Sequence, residues 1–331
     1  MSYKPPYTIS DKILNLVVDI TILLSKVDGT FKNDVHLRKK NQIKTVVGTL
    51  AIEGNNLDIK QVTAILEGKK VIGSQKEIQE VKSAINTYEN IEKFNPYKID
   101  DLFEAHSLMM NLLLENVGKF RDVKVAVKGD VVVHIAPPPA KVPKLMEQLF
   151  EWLKNSELNS LITSSIFHYE FEFIHPFIDG NGRMGRFWQT LILCKYNPIF
   201  LSFPIESIIK ERQNEYYKTL SICDTEANST LFIEFMLECI YEVISSEISS
   251  EKSSEKSSEK SSEISFLNTD EAILAFLKNN PKATIKILAS KLNLTTRAIE
   301  KQLANLKKEN RLQRVGSAKK GEWVVIEKGN L

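Results

Sequence analysis

Apolar residues recur every three to four positions through most of this chain, which is the period of an amphipathic helix. The segments "KILNLVVDITILLSKV", "KLMEQLFEWLKN", "LITSSIFHYEFEFI", "RFWQTLILCKY" and "NSTLFIEFMLECIYEVI" all carry it, and two-residue alternation is scarce. The body is therefore predicted to be mainly helical. One stretch departs from the pattern: "VKVAVKGDVVVHI", residues 123–135, has two β-rich runs around Lys128, Gly129 and Asp130, and predicts a hairpin with glycine in its turn. The prolines of "APPPAKVP" end it, because they can neither continue a ladder nor enter a helix interior.

Residues 245–264 read "SSEISSEKSSEKSSEKSSEI". A four-residue repeat gives a helix no coherent apolar stripe, so this segment is expected to be a solvated linker, transiently helical through Glu and Lys on neighbouring turns. After it the grammar changes. "TDEAILAFLKNNP", "TIKILASKLNL" and "TTRAIEKQLANLKKEN" predict three helices, and "RLQRVGSAKKGEWVVIE" predicts two strands around a Gly/Lys loop. Three helices and a β-wing make a winged helix-turn-helix. Leu294, Ile299, Leu303 and Leu306 are its expected core. Arg297, Lys301, Lys307, Lys308, Arg311, Lys319 and Lys320 are left for the third helix and the wing, where a recognition helix enters a groove and a wing meets phosphate.

Composition sharpens only part of this. With 43% hydrophobic and 26% charged residues the chain can bury a core, and its net charge of +2 singles out no partner. The distribution does: residues 265–331 carry thirteen Lys/Arg against six Asp/Glu, a local excess that suits DNA as partner, with a protein-binding winged helix the open alternative. Cys194, Cys223 and Cys239 lack the spacing of a zinc or redox pair, no stretch reaches the ~18 apolar residues of a membrane span, and the start has no basic-then-apolar leader. A cytoplasmic location without a membrane partner is expected. His36, His106 and His134 have no Asp, Glu or Cys at ligand spacing, and His168 lies on an apolar helix, so none is expected to bind metal. Trp152, Trp188 and Trp323 are expected in cores.

The chemistry concentrates in "HPFIDGNGRMGRFW", residues 175–188. Gly180, Asn181 and Gly182 can turn successive backbone N–H groups toward one anion, and the helical spacing after them puts this nest at a helix N-terminus, where phosphate is favoured. Arg183 and Arg186, three apart, share a face of that helix and could grip a polyphosphate. A Lys-Ser/Thr Walker ending is absent. Asp179 is a hard oxygen donor suited to Mg²⁺ between phosphates, and His175 is a base of the right pKa beside them.

"HPFIDGNGRMGR" matches throughout the signature of the Fic family, His-Pro-Phe-x-Asp/Glu-Gly-Asn-Gly-Arg-x-x-Arg, and the chain resembles that family over roughly residues 40–240. The resemblance implies a helical-bundle core with a β-hairpin flap, joined here to a small α+β winged helix: an N-terminal helical region over 1–95, a Fic core over 96–244, the linker over 245–264 and the winged helix over 265–331. It implies transfer of AMP from ATP, with Mg²⁺, to a Ser, Thr or Tyr hydroxyl of a target protein or of the chain itself. His175 would take the hydroxyl proton and Asp179 would hold the metal. Gly180, Asn181, Gly182, Arg183, Met184, Gly185, Arg186 and Tyr216 would form the ATP site, with Arg186 on the γ-phosphate. The flap would hold the target segment as an added strand.

Fic proteins often carry an inhibitory helix, Ser/Thr-x-x-x-Glu-Gly/Asn, whose glutamate takes the second motif arginine. "TLAIEG", from Thr49 through Glu53 to Gly54, fits; so does "TAILEG", which ends at Glu67 and Gly68. The surroundings "AIEGNNLD" favour Glu53, whereas Glu67 reads as a helix end stopped by glycine. Two other readings stay open at this point: a nucleotide-sensing DNA-binding regulator, and a Fic enzyme that removes AMP or moves another nucleotidyl or phosphoryl group. The oligomeric state, a homodimer among the options, is open too.

Overall fold

The structure is a computed structural model that describes residues 3–27, 35–128 and 133–265, and 273–326 apart from 275, 279, 292–295, 310 and 317–320. It divides into two compact units, Met1–Ile248 and Ser249–Leu331. The first contains α1 (Asp11–Ser25), α2 (Val35–Ile52), α3 (Ile59–Leu66), α4 (Gln75–Glu89), α5 (Ile99–Met109), strands β1 (Ala126–Lys128) and β2 (Val133–Ile135), α6 (Val142–Asn155), α7 (Ser160–Ile174), α8 (Asn181–Tyr196), α9 (Ile205–Glu211), α10 (Gln213–Glu226) and the start of α11 (Thr230–Ser265). No described helix is long and apolar enough to cross a membrane.

Helix ends follow local rules. Ser10 caps α1 by accepting from Ile13 N, and Ser74 with Glu77 forms a capping box on α4. The centre follows burial. α7 and α8 are enclosed along nearly their whole lengths, and together they separate two cores. One core takes Ile166 and Leu193 with apolar residues of α1, α10 and α11; the other takes Phe167, Phe171, Phe187 and Trp188 with α2, α4, α5 and α6. A helix packed on all sides shows a weak amphipathic pattern, so sequence periodicity alone does not reveal how central this pair is. The α2–α9 crossing depends on Gly48: a Cβ there would lie 2.7 Å from the Glu206 carbonyl carbon and 2.8 Å from Ser207 N.

β1 and β2 pair antiparallel with Ala126 opposite Ile135 and Lys128 opposite Val133. The expected turn at Gly129 and Asp130 lies outside the described residues.

α11 runs without a break through the Ser/Glu/Lys repeats, so the backbone over 245–264, expected to be helical only in part, is helical throughout. Its sequence contains no Pro or Gly to stop a helix begun on the packed surface. In the second unit, α12 (Ile285–Lys291), α13 (Thr296–Lys308) and the antiparallel strands β3 (Leu312–Val315) and β4 (Glu322–Val325) form the winged helix, with Ile299, Leu303, Leu306, Leu312 and Trp323 in its core. Leu294, Lys319, Lys320 and the Arg297 side chain lie outside the described residues. Lys307 is exposed on α13 with its ammonium 5.0 Å over the Trp323 ring, and the Arg314 guanidinium lies 4.8 Å from the same ring.

Candidate functional site

The turn between α7 and α8 carries the motif, and two residues in the left-handed region shape it. His175 ends α7 at φ 49° and ψ 62°, and Gly180 begins α8 at φ 85°. Gly180 is needed for conformation and for space, since a Cβ would lie 2.6 Å from Met110 Sδ. Asn181 closes the turn from within. Its amide donates to Phe177 O at 2.9 Å and its Oδ1 accepts from Phe177 N at 2.8 Å. Its side chain therefore builds the nest, which leaves the backbone N–H groups of the first turn of α8 as the anion-facing donors.

Two residues without a motif of their own hold this turn from outside. His106 Nδ1 accepts from Gly118 N at 2.9 Å, so in the neutral ring Nε2 carries the proton and donates to Asp179 O at 3.1 Å. The ring stacks 3.7 Å from Phe177, and burial pushes its pKa down to about 4, which keeps it neutral. Arg121 is buried, and its guanidinium donates only to carbonyls in the bonds described: His175 O at 2.7 Å, Val123 O at 2.9 Å and Pro137 O at 2.6 Å. Its own N–H donates to Pro176 O at 2.9 Å. Arg121 thus ties the backbone of His175 to both ends of the β1–β2 flap. No local signal in "GKFRDV" separates such an arginine from a solvated one.

Arg186 is 2% exposed. Its Nη2 donates to Glu53 Oε1 at 2.6 Å and to Thr49 O at 3.2 Å, and its Nε donates to Thr49 Oγ1 at 3.0 Å. Burial opposes its charge, yet the field and hydrogen bond of the Glu53 carboxylate, with the fields of Tyr216 and Glu172, together more than offset this and raise its pKa above the ordinary value. The same carboxylate lies against the start of α8. A Cβ on Gly182 would collide with Glu53 Oε1 and come within 3.1 Å of Arg186 Nη1. Glu53 therefore stands where the helix N-terminus and a buried guanidinium both favour an anion. Glu67, the other motif match, is exposed and pairs with Lys69 at 2.6 Å.

A clasp keeps Glu53 there. Gly54, at φ 90°, ends the α2 segment, and the last carbonyls of α2 are taken by side chains of α9 and α10. Lys210 Nζ donates to Ala51 O at 2.8 Å, Gln213 Nε2 to Ile52 O at 2.8 Å and the Tyr217 hydroxyl to Ile52 O at 3.2 Å. A lysine at a helix C-terminus also opposes the negative end of the dipole.

The other expected site residues divide. Arg183 is buried, donates from Nη2 to Asp179 Oδ1 at 3.2 Å, lies 3.8 Å from Glu80, and has no hydrogen-bond partner at Nε among the described residues. Asp179 is half exposed and also accepts from Gly180 N at 2.6 Å. Met184 is enclosed in the hydrophobic core, and Gly185 packs where a Cβ would meet His168 at 2.9 Å and Glu172 at 3.0 Å. Tyr216 is 1% exposed with its hydroxyl 3.1 Å from His168 Nε2, while its neighbour Tyr217 is 45% exposed beside Ile52. Met184 and Gly185 thus belong to the start of α8, and Tyr216 to α10.

Comparison with known proteins follows this geometry. The Fic/DOC family matches residues 96–193, and a winged helix-turn-helix DNA-binding family matches residues 266–313. A solved Fic family protein from Desulfovibrio desulfuricans G20 is 36% identical, with a TM-score of 0.74 over 99% of this chain and 100% of that one. The chain belongs to the Fic family. A Fic domain containing signaling protein from Bacteroides thetaiotaomicron, 23% identical with TM-score 0.59 over 71% of this chain and 94% of its own, shares the fold. The protein adenylyltransferase Fic of Drosophila grimshawi is 28% identical over 214 residues, 61% of this chain and 42% of its own length. The chain thus spans about two fifths of the length of such curated relatives. In this Fic protein the family motif and the Glu53 segment, 133 positions apart from Glu53 to Arg186, meet in one ion pair.

Proposed function

We propose that this Fic protein is a protein adenylyltransferase that moves AMP from ATP to a hydroxyl of a target protein or of itself. The observation that carries the reading is the place of the Glu53 carboxylate, an internal anion on Arg186 and the α8 N-terminus, with His175 on the same turn. In the reaction the hydroxyl oxygen forms a bond to the α-phosphorus, the bond from that phosphorus to the bridging oxygen breaks, and pyrophosphate leaves. His175 takes the hydroxyl proton and passes it to solvent. Arg183 and the N–H groups of the first turn of α8 stabilise the phosphate charge, and Arg186 takes the γ-phosphate once Glu53 departs. The half-exposed Asp179 suits Mg²⁺, which usually takes one or two protein carboxylates and leaves the rest of its shell to water and phosphate. Among the described residues no three acidic, His or Cys side chains form a cage, so a shared protein–phosphate site fits the donors present. Bound there, the metal would neutralise phosphate charge.

The deciding experiment incubates the full chain and a lysate with ATP labelled at the α- or the γ-position. Label from the α-position on protein is expected; label from the γ-position alone points to phosphoryl transfer, and none in any variant leaves the nucleotide-sensing regulator.

Restraint by Glu53 is the second half of the proposal. Each bond of the clasp contributes about 0.5–1.5 kcal/mol, so removing two, about 1–3 kcal/mol, raises the open fraction about fivefold to a hundredfold. The double variant Lys210→Ala/Gln213→Ala is expected to label about fivefold to a hundredfold faster than wild type at limiting ATP, and a rate at or below wild type counts against the clasp.

For the winged helix we propose DNA as partner, supported by the matched family and by Lys301 and Lys308, which are exposed and seven apart on one face of α13. In gel shifts of the full chain on duplex DNA, Lys301→Glu/Lys308→Glu is expected to weaken binding and lower the log–log salt slope by about 2. An unchanged slope removes α13 from the interface.

A further inference from the structure

Glu172 has no part in the family motif and none in the chemistry described so far. It lies on α7, one turn before His175, with its side chain 13% exposed. Oε2 is 4.0 Å from His175 Nδ1 and Oε1 is 3.8 Å from His168 Nε2. Oε1 has no hydrogen-bond partner among the described residues. A buried carboxylate between two imidazoles invites the reading that it serves His168, and the bonds of His168 argue against it. His168 Nδ1 lies 2.6 Å from Gln189 Oε1, an acceptor, so Nδ1 carries the proton. Nε2 is then the acceptor for the Tyr216 hydroxyl at 3.1 Å. Both nitrogens of His168 are satisfied as a neutral ring, and the Glu172 carboxylate is left for His175.

We propose that Glu172 is the positioning residue of His175: its carboxylate faces Nδ1, holds the proton there, and so leaves the lone pair on Nε2 for the incoming hydroxyl. This rests on the adenylyltransferase reading for its catalytic meaning, though the tautomer itself does not. The logic is that of a general base oriented by a third group. At 4.0 Å the carboxylate is near Nδ1 but beyond hydrogen-bond length, and catalytic contacts of this kind tighten when a substrate engages the base. Other charged and titratable groups around Glu172 are His168 on its own helix, Arg186 on α8, and Tyr216 and Tyr217 on α10. Burial works to raise the pKa of Glu172, and the positive field of the Arg186 guanidinium opposes this and favours the carboxylate. The fold also makes room for it, since Gly185 is the α8 residue whose Cβ would press on Oε1.

A carboxylate facing an imidazole raises the pKa of that imidazole, by about 1–3 units within ~4–6 Å. Activity of a base is lost as pH falls through its pKa, so taking the charge away moves the acid limb to lower pH. In a Glu53→Gly background, labelling from α-labelled ATP is followed against pH for Glu172, Glu172→Gln and Glu172→Asp. The glutamine variant is expected to place its acid limb about one unit lower, with the plateau rate about tenfold down and KM for ATP unchanged. The aspartate variant keeps the charge and is expected to hold the acid limb near that of the parent. An acid limb that does not move in the glutamine variant overturns the proposal. A second measurement needs neither activity nor a stable variant at 172: ¹⁵N-histidine spectra of the full chain, with His175 assigned by its absence in His175→Ala. The Nδ1–H tautomer is expected, and an Nε2–H tautomer overturns the proposal whatever the labelling shows. Failure of all labelling with the Nδ1–H tautomer in place removes only the adenylyltransferase reading.

Discussion

Replacing Glu53 by glycine is expected to raise AMP incorporation at least tenfold and, without nucleotide, to lower the melting temperature. Both effects come from one contact. In the wild type the carboxylate satisfies the Arg186 guanidinium, which is 2% exposed, and stands at the start of α8. Removal leaves a buried cation with Thr49 as its remaining described hydrogen-bond partner, at a cost of about 1–3 kcal/mol, toward the low end for buried pairs because Glu53 is a third exposed. ATP should then act as the missing anion. Its stabilising effect in thermal shift is expected to be larger in Glu53→Gly than in wild type, because only in the variant is the guanidinium unclaimed. Glu67→Gly is the control, expected to leave labelling unchanged, since Glu67 pairs with Lys69 on the surface. Equal labelling by Glu53→Gly and wild type ends the case for restraint by this residue.

The second large effect is expected from His175→Ala in the Glu53→Gly background: labelling falls by about 10²–10⁴-fold, the usual worth of a positioned general base. Nucleotide binding should survive, because the groups proposed to hold phosphate are on α8 and the imidazole is not among them. Isothermal titration with ATP checks this, and loss of binding in step with labelling would make His175 a structural residue. The distinction is sharp because Arg121 and the bond from His175 N to Phe171 O hold the turn through the backbone, which alanine retains. The left-handed φ of 49° is the one strain the substitution carries.

The helical body was legible because amphipathic helices repeat at a period that survives in the sequence; α1, α6 and the start of α11 fall where apolar spacing put them. The flap was legible through its β-rich runs and closing prolines. α7 and α8 were legible as helices but not as the centre, because burial on all faces erases the amphipathic stripe. At the site, the residues from 175 to 186 were readable as chemistry; of the residues that the resemblance placed with the nucleotide, Met184 and Tyr216 have buried side chains and Gly185 has no room for one. His106, Arg121, Glu172, Lys210 and Gln213 carried no readable sign. Each acts through a partner distant in sequence or through main-chain carbonyls, and such contacts leave no pattern in neighbouring residues.

By itself the sequence determined the local chemistry of this protein: a base, a hard oxygen donor, a nest and two arginines follow one another along twelve residues, and turn conformation and helix phase place them. It also determined two candidates for the restraining glutamate. The surroundings of Glu53 favoured it already, and the tertiary structure pairs it with Arg186 by bringing α2 across α8, while Glu67 stays with Lys69. Turns and helix faces are set within a few residues by backbone sterics, so a sequence can show them. Which distant side chain fills a buried charge is set by how whole helices pack, and that is decided only when Gly48 and Gly182 let the helices approach.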